Sequence, residues 1–359
     1  MGESGEEYGN YSYDYYLEYG DLEDLRVEHR QEETMHIISV IVYIISFVLG
    51  LIGNGTVIWV TAFKTKRTVN SVWLLNLAIA DFVFVFFLPF SIDYILRDFH
   101  WDFGVAMCKL NSFVSVMNMY ASVLFLTVLS IDRYVSLVHL NWSQKYRTVE
   151  RAWAVCGCIW ALAGAMSCPA LIFRDTLRLQ DKVVCFNNFH AQDPHMAAMR
   201  HIIIVVIRTT VGFLLPFTAI CVSGLLLTIK VNQSGSLVRV SSFSKTVTAV
   251  ILAFFLCWAP FHTFSIMELS THSSVHLHNI LKTGFPLATS LGFFNSCINP
   301  LLYILLGRKV RRILKRACLD ITKSSLRELS QSISATEIES VPELPQENPS
   351  DEPLESSVV

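Results

Sequence analysis

Seven stretches of this chain are each apolar for longer than a bilayer is thick. They lie near residues 35–63, 70–97, 105–139, 151–173, 200–231, 244–270 and 279–305. About 30 Å of hydrocarbon takes roughly 20 residues of helix, so each run spans with some tilt to spare. The expected fold is an all-α seven-transmembrane helix bundle. Composition agrees: 52% of residues are hydrophobic and 16% are charged, against about 25% charged in soluble domains.

The short links between runs set the orientation, because cytoplasmic loops carry the excess of Lys and Arg. Lys64, Lys66 and Arg67 follow the first run. Lys145, Arg147 and Arg151 lie between the third and fourth, and Lys230, Arg239 and Lys245 flank the link from fifth to sixth. Arg308, Lys309, Arg311, Arg312, Lys315 and Arg316 follow the seventh. All four groups fall on one side. The expectation is a multi-pass plasma-membrane protein with its N-terminus outside and its C-terminus in the cytoplasm. No basic stretch followed by an apolar core opens the chain, so the first run is expected to act as its own insertion signal.

Residues 1–34 form the expected extracellular tail, rich in Asp, Glu and Tyr. Two readings stand: a solvated, disordered segment, or a docking arm for a basic protein ligand. Asn10-Tyr11-Ser12 is a glycosylation acceptor on that side. Residues 35–305 are the bundle. Residues 306–319 read as a short amphipathic eighth helix on the anionic inner leaflet, with Cys318 a candidate for palmitoylation. Residues 320–359 are polar, serine-rich and expected to be a disordered tail open to phosphorylation. The final Ser357-Val358-Val359 is a weak match to a PDZ-domain ligand.

Polar residues at bilayer depth are costly, and each asks for a purpose. Asn54 sits on the first run, Asp81 on the second, Asn118 and Ser122 on the third, and Asn295, Ser296 and Asn299 on the seventh. An aspartate facing amide and hydroxyl oxygens can hold a small cation such as sodium; the alternative is a hydrogen-bonded network without an ion. No other cofactor is indicated. Pro89, Pro169, Pro216, Pro260 and Pro300 interrupt the runs and bend the helices, which suits a protein with two packed states. Trp258 stands two residues before Pro260, as a rotamer switch or as ordinary core. Cys108 opens the third run and Cys185 lies in the outer loop after the fourth. Both face an oxidising space, so a disulfide between them is expected.

These elements together resemble the rhodopsin-like (class A) G-protein-coupled receptors. Gly53-Asn54, Leu77 to Asp81, Cys108, Asp132-Arg133-Tyr134, Trp160, Cys185, Pro216, Cys257-Trp258-Ala259-Pro260 and Asn299-Pro300-Leu301-Leu302-Tyr303 occur in the family's order. A narrower likeness is to the chemoattractant branch of formyl-peptide and chemerin receptors. It rests on Phe99 to Gly104, Trp142-Ser143-Gln144, Phe173 to Thr176 and Cys185 to Phe189. The resemblance implies a chemerin-like protein ligand whose C-terminal peptide enters the bundle, an inhibitory (Gi/o) G protein and arrestin as partners, and contact with membrane lipids including sterol. It also implies that Arg208, a lone guanidinium in the fifth run, faces the pocket and anchors a carboxylate. Asn111, Ser115, Met119, Phe261, His262, Glu268, Phe285 and Thr289 are further candidate lining. Asp132, Arg133, Tyr134, Trp258, Asn299, Pro300 and Tyr303 are the candidate switch and coupling residues.

Three positions depart from the family pattern. Gly224 replaces a tyrosine that meets Arg133 in the active state, Leu140 replaces a proline, and Val310 replaces an aromatic. In the expected resting state Arg133 pairs with Asp132, and an agonist draws the inner end of the sixth helix outward. Gly224 keeps a rival open: a receptor that captures ligand or recruits arrestin with weak G-protein coupling. A receptor for another peptide or a carboxylate-bearing lipid is a further alternative. A transporter would need inverted repeats or broken half-helices, and neither is evident. No nucleophile and base set suggests an enzyme, and nothing points to nucleic acid.

Overall fold

The computed structural model describes residues 6–179, 181–189, 193–233, 242–269 and 275–306, with Lys323, Leu326 and Arg327 beyond them; side chains are described from Arg30 onward, with gaps. The chain divides into two compact units, Met1–Arg311 and Arg312–Val359. The first is the bundle. The proposed eighth helix, Cys318 and the terminal valines lie outside the described residues, and so does the side chain of Asn10.

Each apolar run is a helix. They are α1 (Glu6–Trp59), α2 (Val69–Leu96), α3 (Gly104–Val138), α5 (Val149–Phe173), α6 (Pro194–Thr209) continuing into α7 (Leu215–Gln233), α8 (Ser242–Glu268) and α9 (Val275–Leu306). A seven-residue helix, α4 (Leu140–Tyr146), joins α3 to α5. Among the described residues, six of these segments are long and apolar enough to cross a membrane. The remaining one, α9, is 32 residues long and packs against α1 and α8.

Local geometry adds three details to the sequence reading. First, α1 runs on from its span back to Glu6, and no proline interrupts residues 6–59. Second, the loop after α5 is a two-stranded antiparallel hairpin, β1 (Arg174–Leu179) with β2 (Lys182–Asn187), in which Thr176 faces Cys185. Its residues Thr-Leu-Arg-Leu and Lys-Val-Val-Cys-Phe alternate weakly, and the signal is drowned by the longer runs around it. Third, the fifth run is not one continuous α-helix. A π-turn, Thr210–Leu214, links α6 to α7. Pro216 has no N–H to give the carbonyl four residues back, at Gly212, and a widened turn absorbs the lost bond.

Local chemistry sets the boundaries. Thr68 and Ser71 form a reciprocal capping box at the start of α2, Thr148 caps α5, and Asp193 caps α6 just before Pro194. Central α3 touches α2, α5, α7 and α8. Its buried face, from Met119 and Tyr120 to Leu129, forms the main apolar core with Trp73, Leu77, Phe254 and Trp258. The disulfide Cys108–Cys185 ties the start of α3 to the hairpin across 77 residues. Trp101 adds a backbone bond to Val183 O at 2.7 Å.

Glycine permits the closest helix approaches. A Cβ on Gly53 would lie 2.7 Å from Pro300 Cγ, whereas one on Gly157 would meet nothing within 4 Å. Gly53→Ala should therefore cost about 1–3 kcal/mol through overpacking. Gly157→Ala should be neutral or gain a few tenths to about 1 kcal/mol through helix propensity. Thermal unfolding of the two purified variants checks the contrast in sign.

Candidate functional site

At the disulfide end of the bundle lies a cavity of about 750 Å³. Every spanning segment contributes to its wall, from Ser39 and Tyr43 on α1 round to Phe285 and Thr289 on α9. The hairpin roofs it with Arg174, Cys185 and Asn187, so the disulfide holds the roof to the α3 wall.

The wall is mostly apolar, and its charges are few. Arg208 projects from the last turn of α6. One guanidinium nitrogen donates to Ser265 Oγ on α8 at 3.1 Å, and the plane stacks on Phe261 at 4.9 Å. Its Nε is buried with no hydrogen-bond partner. Glu268 lies nearby but is engaged with His201 at 3.9 Å, whose ring stacks on Phe189. Arg174, at the first residue of β1, is the second guanidinium on the wall. Burial pushes its pKa below the ordinary arginine value, with the Tyr94 phenol acting the other way. Two guanidiniums and the Glu268 carboxylate thus stand on one largely apolar wall.

Of the other expected lining residues, Asn111, Ser115, Met119, Phe261, Glu268, Phe285 and Thr289 line the cavity. Asn111 donates to Ser91 Oγ at 3.1 Å. Ser115 and Thr289 donate to the carbonyls of Asn111 and Phe285, one turn back in their own helices. Phe285 meets Phe261 edge to face. His262 stands apart: it is 2% exposed, packs on Phe213, meets Thr209 Oγ1 at 3.3 Å and is not part of the wall. Sequence reasoning overlooked Arg174, Tyr94 and Ser39. For Arg174 there was a signal, a basic residue at the outer end of an apolar run, against the trend of charge.

Below the cavity, Trp258 forms part of the floor, and a Cβ on Gly292 would lie 3.2 Å from its ring. Midway down lies a buried polar band. Asp81 is fully buried and accepts from Asn299 Nδ2 at 2.7 Å. Asn54 donates to Ser296 O at 2.8 Å, and Ser122 reaches Asn118 at 3.3 Å. The Asn118 amide fits best with its nitrogen toward Asp81 Oδ1 at 3.2 Å and its oxygen receiving Ser296 Oγ at 2.9 Å. The side-chain oxygens of Asn54, Asn295 and Asn299 are buried without hydrogen-bond partners. A buried carboxylate in one band with unsatisfied amide oxygens offers the kind of donor a hard, small cation takes.

At the far end, the expected Asp132–Arg133 pair is not formed. Arg147, from the link after α4, takes the Asp132 carboxylate with two bonds, Nε–Oδ1 at 2.8 Å and Nη2–Oδ2 at 2.7 Å, and also binds Asn70. A neighbour in sequence cannot match the two-pronged geometry that a guanidinium from the facing loop offers. Arg133 turns instead to α8, donating to Thr248 Oγ1 at 3.1 Å. Tyr134 packs on His139. Ser130 and Ser223 share a buried bond of 2.8 Å, one position before Gly224. Pro300 lies against Gly53, and the Tyr303 side chain lies outside the described residues.

Seven spanning segments carry a cavity roofed by a disulfide-tied hairpin, with a buried carboxylate band beneath it. The chain belongs to the rhodopsin family of seven-transmembrane receptors, whose family model matches residues 53–303. Within it, the chain is similar to chemerin-like receptor 2 of Macaca fascicularis, 43% identical over 334 residues, 92% of this chain and 93% of that protein. Human chemerin-like receptor 2 is 42% identical over 332 residues, 92% and 93% of the two chains. Human chemerin-like receptor 1 is 40% identical over 317 residues, 85% and 84%. The chain is thus a multi-pass membrane receptor of chemerin-like type, and not an enzyme.

Asp132 and Arg147 are both largely shielded from solvent, so removing either leaves the other poorly satisfied. Asp132→Ala and Arg147→Ala should each lower stability by about 1–3 kcal/mol. The double variant should lose less than the sum, by roughly 0.5–3 kcal/mol. A double-mutant cycle on thermal unfolding reads that coupling.

Proposed function

We propose that this receptor binds the C-terminal peptide of a chemerin-like protein and passes the event to a Gi/o protein and to arrestin. The observation that carries the reading is Arg208: a cavity guanidinium with a buried, unpartnered Nε, stacked on Phe261 and tethered to α8 through Ser265. A terminal carboxylate would complete its fork, with Arg174 as the second cation. The large apolar remainder of the cavity suits the residues that precede the carboxylate. The N-terminal acidic segment, outside the cell in this orientation, suits the body of a basic protein ligand, and Asn10 would carry a glycan. In the cytoplasm, Cys318 would carry palmitate, and the last residues would be open to a PDZ domain.

Transmission runs along α8. Ser265 and Thr248 lie about 25 Å apart along its axis, on either side of Pro260. A carboxylate that satisfies Arg208 competes with Ser265 for the guanidinium. The outer end of α8 is then free to repack around Trp258, and the bent rod swings its inner end away from Arg133. The resting latch is the Arg133–Thr248 hydrogen bond, and its loss opens a cleft for the G protein. Sodium held by Asp81, Asn118, Ser122, Asn295 and Ser296 would brace the resting packing, because repacking the helices pulls those oxygens apart. A ligand shifts the balance only by its differential affinity for the two packings.

A second reading has its own support. At Gly224, a Cβ would meet nothing within 4 Å, so no side chain is present there to hold Arg133 once it leaves Thr248. An arrestin-preferring or ligand-capturing receptor with weak G-protein output follows from that gap. Gly224→Tyr should then raise G-protein dissociation at saturating ligand and leave arrestin recruitment nearly unchanged.

Arg208→Ala should weaken binding of the chemerin C-terminal peptide about 100-fold or more, roughly 3 kcal/mol. Amidating the peptide terminus should weaken it comparably on the native receptor and little further on the variant. Equal losses on both receptors would remove the carboxylate anchor. Asp81→Asn should abolish the sodium dependence of agonist affinity, read by competition binding in sodium and in choline buffers.

A further inference from the structure

The link between α3 and α5 carries a feature that ligand binding and coupling leave unused. Trp142, on α4, is 53% exposed, and its ring lies 5.4 Å from that of Tyr146. Two cations share the Tyr146 ring. Lys145 Nζ is 5.2 Å from its centre and the Arg151 guanidinium 5.0 Å. Arg151 also donates to Tyr146 O at 3.0 Å, which fixes its position. Among the described residues no carboxylate lies within 4.0 Å of either cation. Glu150 is turned to the helix start at Thr148. Arg147, the other base of the link, is consumed by Asp132.

Like charges gathered on one ring without a counter-ion repel each other, and a shared anion relieves that. The cluster sits where α5 begins, at Val149, the first residue of a helix long and apolar enough to cross a membrane. Trp153, 39% exposed, stands one half-turn further in. Exposed tryptophans beside bases at a span's end are the chemistry of an interface anchor.

We infer that Trp142, Lys145, Tyr146 and Arg151 form a docking site for the headgroup of an acidic phospholipid of the inner leaflet. The phosphate bridges Lys145 and Arg151, and the Trp142 ring lies along the glycerol and upper acyl chain. The inference rests on the orientation proposed above, with this link in the cytoplasm. Occupancy would stiffen the link that also carries Arg147, and so bear on how firmly Asp132 is held.

The test places purified receptor in phosphatidylcholine nanodiscs containing a small fraction of phosphatidylinositol bisphosphate or of phosphatidylserine, and reads retained lipid by native mass spectrometry. The wild type should retain acidic lipid over phosphatidylcholine, and the K145Q/R151Q variant should lose that preference roughly tenfold or more. Trp142→Ala should lower retention of both acidic lipids by a smaller factor. Ligand affinity and thermal midpoint should be unchanged in the variant, which separates loss of the site from loss of the fold. Equal retention by variant and wild type would overturn the inference. So would a variant that keeps its lipid and loses only binding to the G protein or arrestin, since the patch would then be a protein contact. Lipid retention does not depend on which way the receptor faces, so an orientation error would show separately, in membrane-impermeant labelling of the two tails.

Discussion

A carboxylate buried in the middle of a membrane protein must be answered from within the protein, and Asp81 is answered by two other helices. Its partners come from α3 and α9, and Asn54 on α1 joins the same band through Ser296. Water cannot relieve these groups from the side, because hydrocarbon surrounds the bundle. The four helices are therefore held in one register at mid-depth. Above and below that band the packing is apolar and looser in its demands, and the two ends of the bundle can differ between states.

At each end one arginine meets α8. Arg208 reaches Ser265 near the cavity, and Arg133 reaches Thr248 at the opposite end. Both bonds join a charged donor to a neutral hydroxyl, a partner that a carboxylate or another acceptor can displace. Pro260 lies between them in the same helix. By contrast, the two-pronged Asp132–Arg147 pair is the firm contact at the inner end, and it belongs to the loop and not to α8.

Much of this was legible in the residues. The seven runs, the disulfide, the mid-membrane polar set and the lone Arg208 all follow from lengths, charges and compartments, since the bilayer allows few alternatives. What escaped reading depended on distances between segments far apart in the chain. Arg147 lies in a loop whose bases read only as an orientation signal, yet it takes the carboxylate assigned to Arg133. Arg174 shares the cavity with Arg208 because a hairpin folds back over the bundle, and weak alternation in a short loop did not reveal that hairpin. His262 has the right helical spacing for the cavity, but the π-turn before Pro216 and the Phe213 ring enclose it.

In the proposed mechanism a carboxylate at Arg208 is felt at Arg133 through α8. The direct measurement is the distance between spin labels at the inner ends of α3 and α8, taken with a C-terminal peptide bearing a free carboxylate and with its amide at equal occupancy. The free carboxylate should lengthen the distance by several ångströms, and the amide should leave it near the ligand-free value. An identical distance with both peptides would contradict the mechanism.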